Sequence, residues 1–396
     1  MRKQIVTGID IGSATVRVVV VSATHAGDTN VLATASVPSL GIRRGQIDSF
    51  EDVVTAIGSA LTQASRKAEV SIKKVYLAIG GVTLGSSTND ASIAIAKADG
   101  EVTALDIERV IALSESTLKK NANHHIVHTV PLYFKIDGKK ILGKPLGMRG
   151  SSLEVHTLFV TCLEQHLERM VQAVEAAGVR VEDVAASPIA ASLVALTKLE
   201  RTVGSILVNI GAETVTSVVY EENQPVALHC LSLGSGDITN DIALVMKLAL
   251  EEAEELKQHR EHSVTARKKL DEIISARLSD IFELVESMLK KIGRSALLPA
   301  GIVLMGGGSR LDMIEGLAKA SLRLPVKMAV LATPGASRAD DEEKKPSEQA
   351  PKDPIWGVAF GLCIFGLSNE SPESGRQNSL VTLWKNIFAG IEKFLP

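Results

Sequence analysis

The residues best placed to do chemistry in this chain occur twice. Residues 9–20, IDIGSATVRVVV, align without a gap with residues 208–219, VNIGAETVTSVV, and share Ile11/Ile210, Gly12/Gly211, Thr15/Thr214, Val16/Val215, Val19/Val218 and Val20/Val219. Each copy reads as a β-strand, a tight small-residue turn and a second β-strand. Such a turn points successive backbone N–H groups into one concavity that suits an anion, and two of them face to face would clamp a polyphosphate. Taken singly, either copy reads more simply as an ordinary hairpin; the pair is what points to phosphate. A third element, AGIVLMGGGSRLDMIEGLAKA at 300–320, reads as an apolar strand, Gly306–Gly307–Gly308, Ser309 and an amphipathic helix. Glycines ahead of a helix N-terminus are a recurrent way to bring backbone against a nucleotide.

The elements around these turns set the fold class. Residues 4–10 and 16–22 read as strands rich in Ile and Val, and 31–37 as a third, an antiparallel start. A helix is expected over 50–68, where Phe50, Val53, Val54, Ile57 and Leu61 keep helical spacing, followed by a buried strand, VYLAIGG, at 75–81. Strand and helix alternate from there, which is α/β patterning. The segment 164–177 is helical and stops at Gly178, which can take the left-handed cap conformation. Strands resume near 205, and 239–293 is almost entirely helical in pattern, with apolar faces running from Ile242 to Leu289.

Composition narrows the class of function. With 396 residues, 45% of them hydrophobic and only 3% aromatic, the chain can bury a large aliphatic core across two or more domains. A formal net charge of −3 argues against a general nucleic-acid binder. Cys162, Cys230 and Cys363 are odd in number and widely spaced, which fits reduced thiols in a cytosolic protein. The first residues enter a strand pattern at once, and no run of ~18 apolar residues follows, so neither a signal peptide nor a membrane span is expected. Residues 335–354 and 368–379 are polar and Pro-containing and read as a disordered loop and a linker.

The order of the three glycine elements resembles the actin, sugar-kinase and heat-shock-chaperone ATPases over nearly the whole chain. Within that superfamily GIRRGQID (41–48), VYLAIGG (75–81), HIVHTVPLYFKIDG (125–138), GKPLGMRGSSLEVHTLFVTC (143–162), ITNDIALVMKLALEEAEELK (238–257) and GVAFGLCIFG (357–366) are similar to the bacterial cell-division protein FtsA. The resemblance implies an actin-like fold of duplicated ribonuclease-H-like domains with an inserted SHS2-type subdomain. It implies domain 1A from 1–81, 159–203 and 355–367, the insert 1C at 82–158, domain 2A from 204–238 and 298–334, and a reduced, mostly helical 2B at 239–297. It also implies that Asp10, Gly12, Ser13, Ala14 and Thr15 hold the phosphates of ATP from one side, and Asn209, Gly211, Ala212, Glu213 and Thr214 from the other. Glu254 and Lys257 would contact ribose and base, Gly306, Gly307 and Gly308 would lie along the adenosine, and Mg²⁺ would arrive with the nucleotide near Asp10. No residue is assigned as a catalyst or as a direct metal ligand. His124, His125 and His128 in the insert are read as strand alternation, not as a metal site.

This chain departs from the family's pattern at the phosphates. Thr15 stands where a lysine is usual, and Asn209, Ala212, Glu213, Val215 and Thr216 replace a DIGGGTTD-like second turn. A phosphate counter-charge and an anionic metal ligand are thereby lost, so nucleotide binding is expected with weak or absent hydrolysis. Between EEAEELK and the helix beginning at Leu270 only QHREHSVTARKK (258–269) intervenes, which trims the subdomain that receives the FtsZ C-terminal tail in the family.

The last 17 residues, 380–396, put Leu380, Leu383, Trp384, Ile387, Phe388, Ile391, Phe394 and Leu395 on one helical face. That helix is too short to span a bilayer comfortably and fits an interfacial one. By resemblance the chain is a self-associating adaptor at the division site that fastens FtsZ filaments to the cytoplasmic face of the cell membrane, touching lipid and no nucleic acid. The alternatives are a cytosolic nucleotide-binding scaffold of pilus assembly resembling PilM, and a true ATPase of the chaperone or sugar-kinase type.

Overall fold

The computed structural model describes residues 4–24, 29–118, 123–258, 264–333 and 351–369. Strands β1 (Gln4–Ile11), β2 (Thr15–Ala23) and β3 (Thr29–Pro38) form an antiparallel meander. A short hairpin, β4 (Ile42–Arg43) and β5 (Gln46–Ile47), leads into α1 (Phe50–Ala68). Its buried Val53, Ala56, Ile57, Ala60, Leu61 and Ala64 keep the spacing of one helical face, and Glu69 caps it in the left-handed region at φ 55°. β6 (Lys74–Ile79) then adds to β1 in parallel.

The insert follows as a unit with its own small core. It comprises β7 (Gly85–Ala94), α2 (Ala104–Thr117), β8 (His124–Ile136), β9 (Lys139–Lys140) and β10 (Ser152–Leu163), with sheet order β7-β10-β8-β9. Thr103 and Asp106 start α2 as a reciprocal capping box, and Val110 and Ile111 pack on Phe134, Leu153 and Val155. β10 runs unbroken through residue 158, so no chain break separates the insert from the body there.

α3 (Glu164–Ala176) and β11 (Arg180–Ala186) complete the first sheet, whose order is β11-β6-β1-β2-β3. α4 (Ser187–Ala195) and α5 (Lys198–Val203) connect to the second half. There β12 (Ser205–Ile210), β13 (Val215–Glu221) and β14 (Gln224–Leu231) form a second meander. After α6 (Ser235–Met246), α7 (Leu250–Gln258) and α8 (Val264–Lys291), β15 (Ile302–Met305) joins β12 in parallel. α9 (Ile314–Leu322), β16 (Val326–Met328) and α10 (Gly357–Asn369) finish the described chain. The second sheet runs β14-β13-β12-β15-β16. Both sheets therefore have the same order and sense, three antiparallel strands extended by two parallel ones: the duplicated α/β architecture that the resemblance implied.

α4 and α10 fill the slot between the two sheets. Phe360, Leu362, Cys363 and Phe365 of α10 pack with Val6, Val19 and Tyr76 of one half and share a cluster with Leu207, Val218 and Val303 of the other. The buried cysteine Cys363 thus serves as a small apolar side chain. His128 of β8 ends in this layer, buried, accepting the N–H of Ala186 at 2.9 Å on Nε2 and meeting Phe365 edge-on.

Three boundaries differ from the sequence reading. The division at 238/239 falls inside α6, and Leu270, Ile274, Leu278, Ile281 and Phe282 of α8 share one core with Ile206 and Val208 of β12. Residues 239–297 thus form a helical cover on the second sheet, with no separate apolar cluster among the described residues. Residues 351–354, placed in the disordered loop, are ordered: the Asp353 carboxylate accepts the Ile355 N–H at 3.1 Å and pairs with Arg310. Ser368 and Asn369, placed in the linker, extend α10. Most of 335–354, the remaining linker and the amphipathic segment 380–396 lie outside the described residues. Among the described residues no helix is long and apolar enough to cross a membrane.

Candidate functional site

The two turns are built alike. In the first, the Gly12 N–H donates to Thr15 O at 3.1 Å; in the second, the Gly211 N–H donates to Thr214 O at 2.9 Å. The flanking strands pair in the same register, Ile11 opposite Val16 and Ile210 opposite Val215. Both turns line one cavity of about 820 Å³ between the halves, as do Gly306, Gly307, Gly308 and the α7 residues Glu254 and Lys257. Every residue expected at the nucleotide except Glu213 lines that cavity.

The glycine run is shaped differently from the strand–helix junction expected. Residues Gly307–Arg310 form a 3-10 turn, and α9 begins only at Ile314. Gly306 has φ 90°, and a Cβ there would fall 2.3 Å from Oδ1 of Asn209 and 2.5 Å from the Ile210 carbonyl. Only glycine lets this loop close over the second turn. At Gly307 an added Cβ meets nothing within 4 Å, since that position faces open cavity.

Lys257 is buried, and its ammonium donates to Glu254 Oε2 at 2.7 Å, Thr239 Oγ1 at 2.7 Å and Ser235 O at 3.0 Å. All three of its donors are engaged, so it ties α7 to α6 and does not reach toward a base. Burial opposes the charge on Glu254, but hydrogen bonds from Lys257, Thr239 and Gln258 outweigh it and hold its pKa below the usual glutamate value.

Glu213, expected on a phosphate, turns instead to the neighbouring recess and accepts the backbone N–H of Arg44. Arg44 and Gly45 lie in the β4–β5 hairpin, and the Gly45 N–H donates to Ser13 Oγ at 3.2 Å. One hairpin thus touches both turns. It reaches them because Gly45, at φ 77°, lies against Gly81, where a Cβ would come within 2.3 Å of the neighbouring Cα.

The cavity also contains side chains that the sequence reading missed. Arg17 stands directly across the β1–β2 ladder from Asp10 and lines the cavity with it. Burial lowers the Arg17 pKa, with Asp10 opposing; burial raises the Asp10 pKa, with Arg17 opposing. The corresponding pair in the second half is Asn209 opposite Thr216. Thr15 Oγ1, Thr216 Oγ1 and Arg17 Nε are buried with no hydrogen-bond partner among the described residues. Ser235 and Gly236 bring the α6 N-terminus onto the second turn, donating to Gly211 O at 2.9 Å and Ala212 O at 2.7 Å. The run SLGSGD ahead of a helix pattern was the signal for them.

Mg²⁺, which the resemblance implies, fits this donor set poorly. Mg²⁺ takes oxygen ligands and is usually anchored by one or two carboxylates beside the phosphates. Asp10 lies against a guanidinium in surroundings that favour its neutral form, Glu254 is held by Lys257, Asp312 lies past the 3-10 turn Gly307–Arg310, and Asn209 and Thr216 carry no charge. Among the described residues no three His, Cys, Asp or Glu side chains are grouped to hold a metal ion.

Comparison with known proteins agrees with this architecture. A family model described as "Cell division protein FtsA" matches residues 206–350, and one described as "SHS2 domain inserted in FTSA" matches 81–161. The cell division protein FtsA of Pseudomonas aeruginosa is 27% identical over 390 residues, 93% of this chain and 90% of the relative. That of Streptococcus pneumoniae is 31% identical over 350 residues, 83% of this chain and 76% of the relative. Among solved structures, the "PilM-PilN type IV pilus biogenesis complex" superimposes with a TM-score of 0.66 at 19% identity, covering 91% of this chain and 98% of its own. MreB5 of Spiroplasma citri bound to ADP gives 0.55 at 13% identity, covering 94% and 99%. At those identities the structures show the fold alone, which is actin-like. The sequence relatives go further, and on their likeness over most of its length this chain belongs to the family of the cell division protein FtsA.

Proposed function

We propose that the chain binds ATP between its two halves, self-associates, and tethers FtsZ filaments to the cytoplasmic face of the cell membrane at the division site through residues 380–396. The observation that carries the nucleotide part is the pair of identically bonded turns on one cavity, because a polyphosphate is the common ligand that needs two such concavities at once. MreB5 of Spiroplasma citri, of similar fold and solved bound to ADP, supports it. The division role rests on the family, and the FtsZ tail is assigned to the helical cover, where Leu244 and Leu250 are exposed. No catalytic residue is proposed, and no hydrolytic step is routed through Mg²⁺. The β- and γ-phosphates are assigned to Gly12–Thr15 and to Gly211, Ala212 and Thr214, and the adenosine to Gly306–Gly308, with Glu254 at the ribose.

Calorimetry with ATP tests this. Gly307→Val adds bulk at a cavity-lining position where a Cβ meets nothing within 4 Å, so it should fold normally and lose ATP binding. Unaltered affinity in the folded variant would sink the assignment of the cavity.

A further inference from the structure

The polar groups on the cavity walls are the wrong kind for a cation and the right kind for an anion. The first half contributes the Asp10–Arg17 pair, and the second contributes Asn209–Thr216 at the corresponding positions. Three buried polar atoms of these cavity-lining residues have no partner among the described residues: Arg17 Nε and the hydroxyls of Thr15 and Thr216. All three can donate, and one belongs to a permanent cation. Thr15 and Arg17 are two residues apart on β2, so both side chains project from the same face of the strand as it leaves the first turn.

We infer that this site takes its nucleotide as the metal-free polyphosphate, with Arg17 supplying the positive charge that a divalent cation would otherwise bring. The inference rests on the proposed nucleotide site and specifies its chemistry. A guanidinium is well suited to the task, since it remains charged when half-buried and presents parallel N–H donors to phosphate oxygens. The other cations at the cavity are engaged, Arg310 with Asp353 and Lys257 with Glu254, which leaves Arg17 as the principal counter-charge among the described residues. Asp10, the one carboxylate beside Arg17, opposes a metal-free phosphate when ionised. Its burial favours the neutral acid, and a neutral Asp10 leaves the Arg17 charge for the ligand.

Two readings of Asp10 make opposite predictions. If it holds Mg²⁺, Asp10→Asn abolishes ATP binding; if it only competes for Arg17, the same substitution preserves or strengthens it. The full-length chain is titrated calorimetrically with ATP in excess EDTA and again in excess Mg²⁺. The affinity in EDTA should stay within about tenfold of that in Mg²⁺. Arg17→Gln should lower it by about tenfold to a hundredfold, with Arg17→Lys recovering part of the loss. Asp10→Asn should bind ATP in EDTA at least as well as the parent chain. The two parent titrations need no variant, so a substitution that unfolds the protein does not blunt the test. A fall of more than about tenfold on replacing Mg²⁺ by EDTA, or loss of binding in folded Asp10→Asn, overturns the inference and leaves the nucleotide site standing. Absence of ATP binding in both buffers overturns the nucleotide site and this inference with it.

Discussion

His128 makes the fold sensitive to acid. Its ring is buried between the insert and α10, and Nε2 must stay unprotonated to accept the Ala186 N–H. Burial lowers its pKa from 6.5 to about 4. The unfolded chain takes up the proton near 6.5 while the folded chain resists it until about 4. Stability is therefore complete above pH 6.5 and declines as the pH falls through that window, by on the order of 3 kcal/mol. Thermal melts between pH 7 and 4 should show the decline, and His128→Gln, which keeps an acceptor, should flatten it. His166 and His229, also lowered by burial, leave a residual slope in the variant. An unchanged slope in His128→Gln would clear His128 of the effect. Strand alternation accounts for the spacing of this histidine from its neighbours, but its partner, 58 residues away, is a tertiary fact. The same limit hid Arg17: strand alternation puts it on one face of β2, and only the closing of the two halves makes that face a cavity wall.

At the scale of elements, the β4–β5 hairpin bridges the two turns that line the cavity. Its Arg44 and Gly45 N–H groups reach Glu213 of the second turn and Ser13 of the first, respectively. A hydrogen bond to a carboxylate contributes ~1.5–3 kcal/mol, less where solvent screens it, and this one is exposed. Glu213→Ala should therefore speed ATP dissociation by roughly threefold to tenfold while barely changing association, as read by stopped-flow displacement. Equal off-rates would mean that the hairpin does not gate the site. Most elements could be read from periodicity: the apolar stripe at 50–68 predicts α1, which is found there; the duplication of the sheets was implied by the resemblance. The hairpin could not, because two-residue strands carry no periodic signal and its position depends on the approach of Gly45 to Gly81. The 3-10 turn at Gly307–Arg310 was hidden likewise, as consecutive glycines prefer no one backbone conformation.

At the scale of the whole molecule, the proposed membrane attachment rests on residues 380–396, which the polar run 370–379 joins to this body. Each large side chain that 380–396 buries in lipid contributes ~1.5–3 kcal/mol, and each residue ordered costs ~1–2 kcal/mol. One copy should therefore hold weakly and reversibly. Copies aligned on a polymer raise one another's effective concentration at the surface, so retention should follow assembly. Co-sedimentation with anionic liposomes separates the possibilities when the full chain and a chain ending at Ser379 are compared, each with and without ATP and each with FtsZ. The full chain should pellet, more completely with ATP, and carry FtsZ down with it; the truncated chain should leave both in the supernatant. Pelleting of the full chain without FtsZ would keep the membrane anchor and remove that partner. If neither chain pellets, the terminal segment does not engage lipid, and a cytosolic scaffold on the fold shared with PilM becomes the better account of this body.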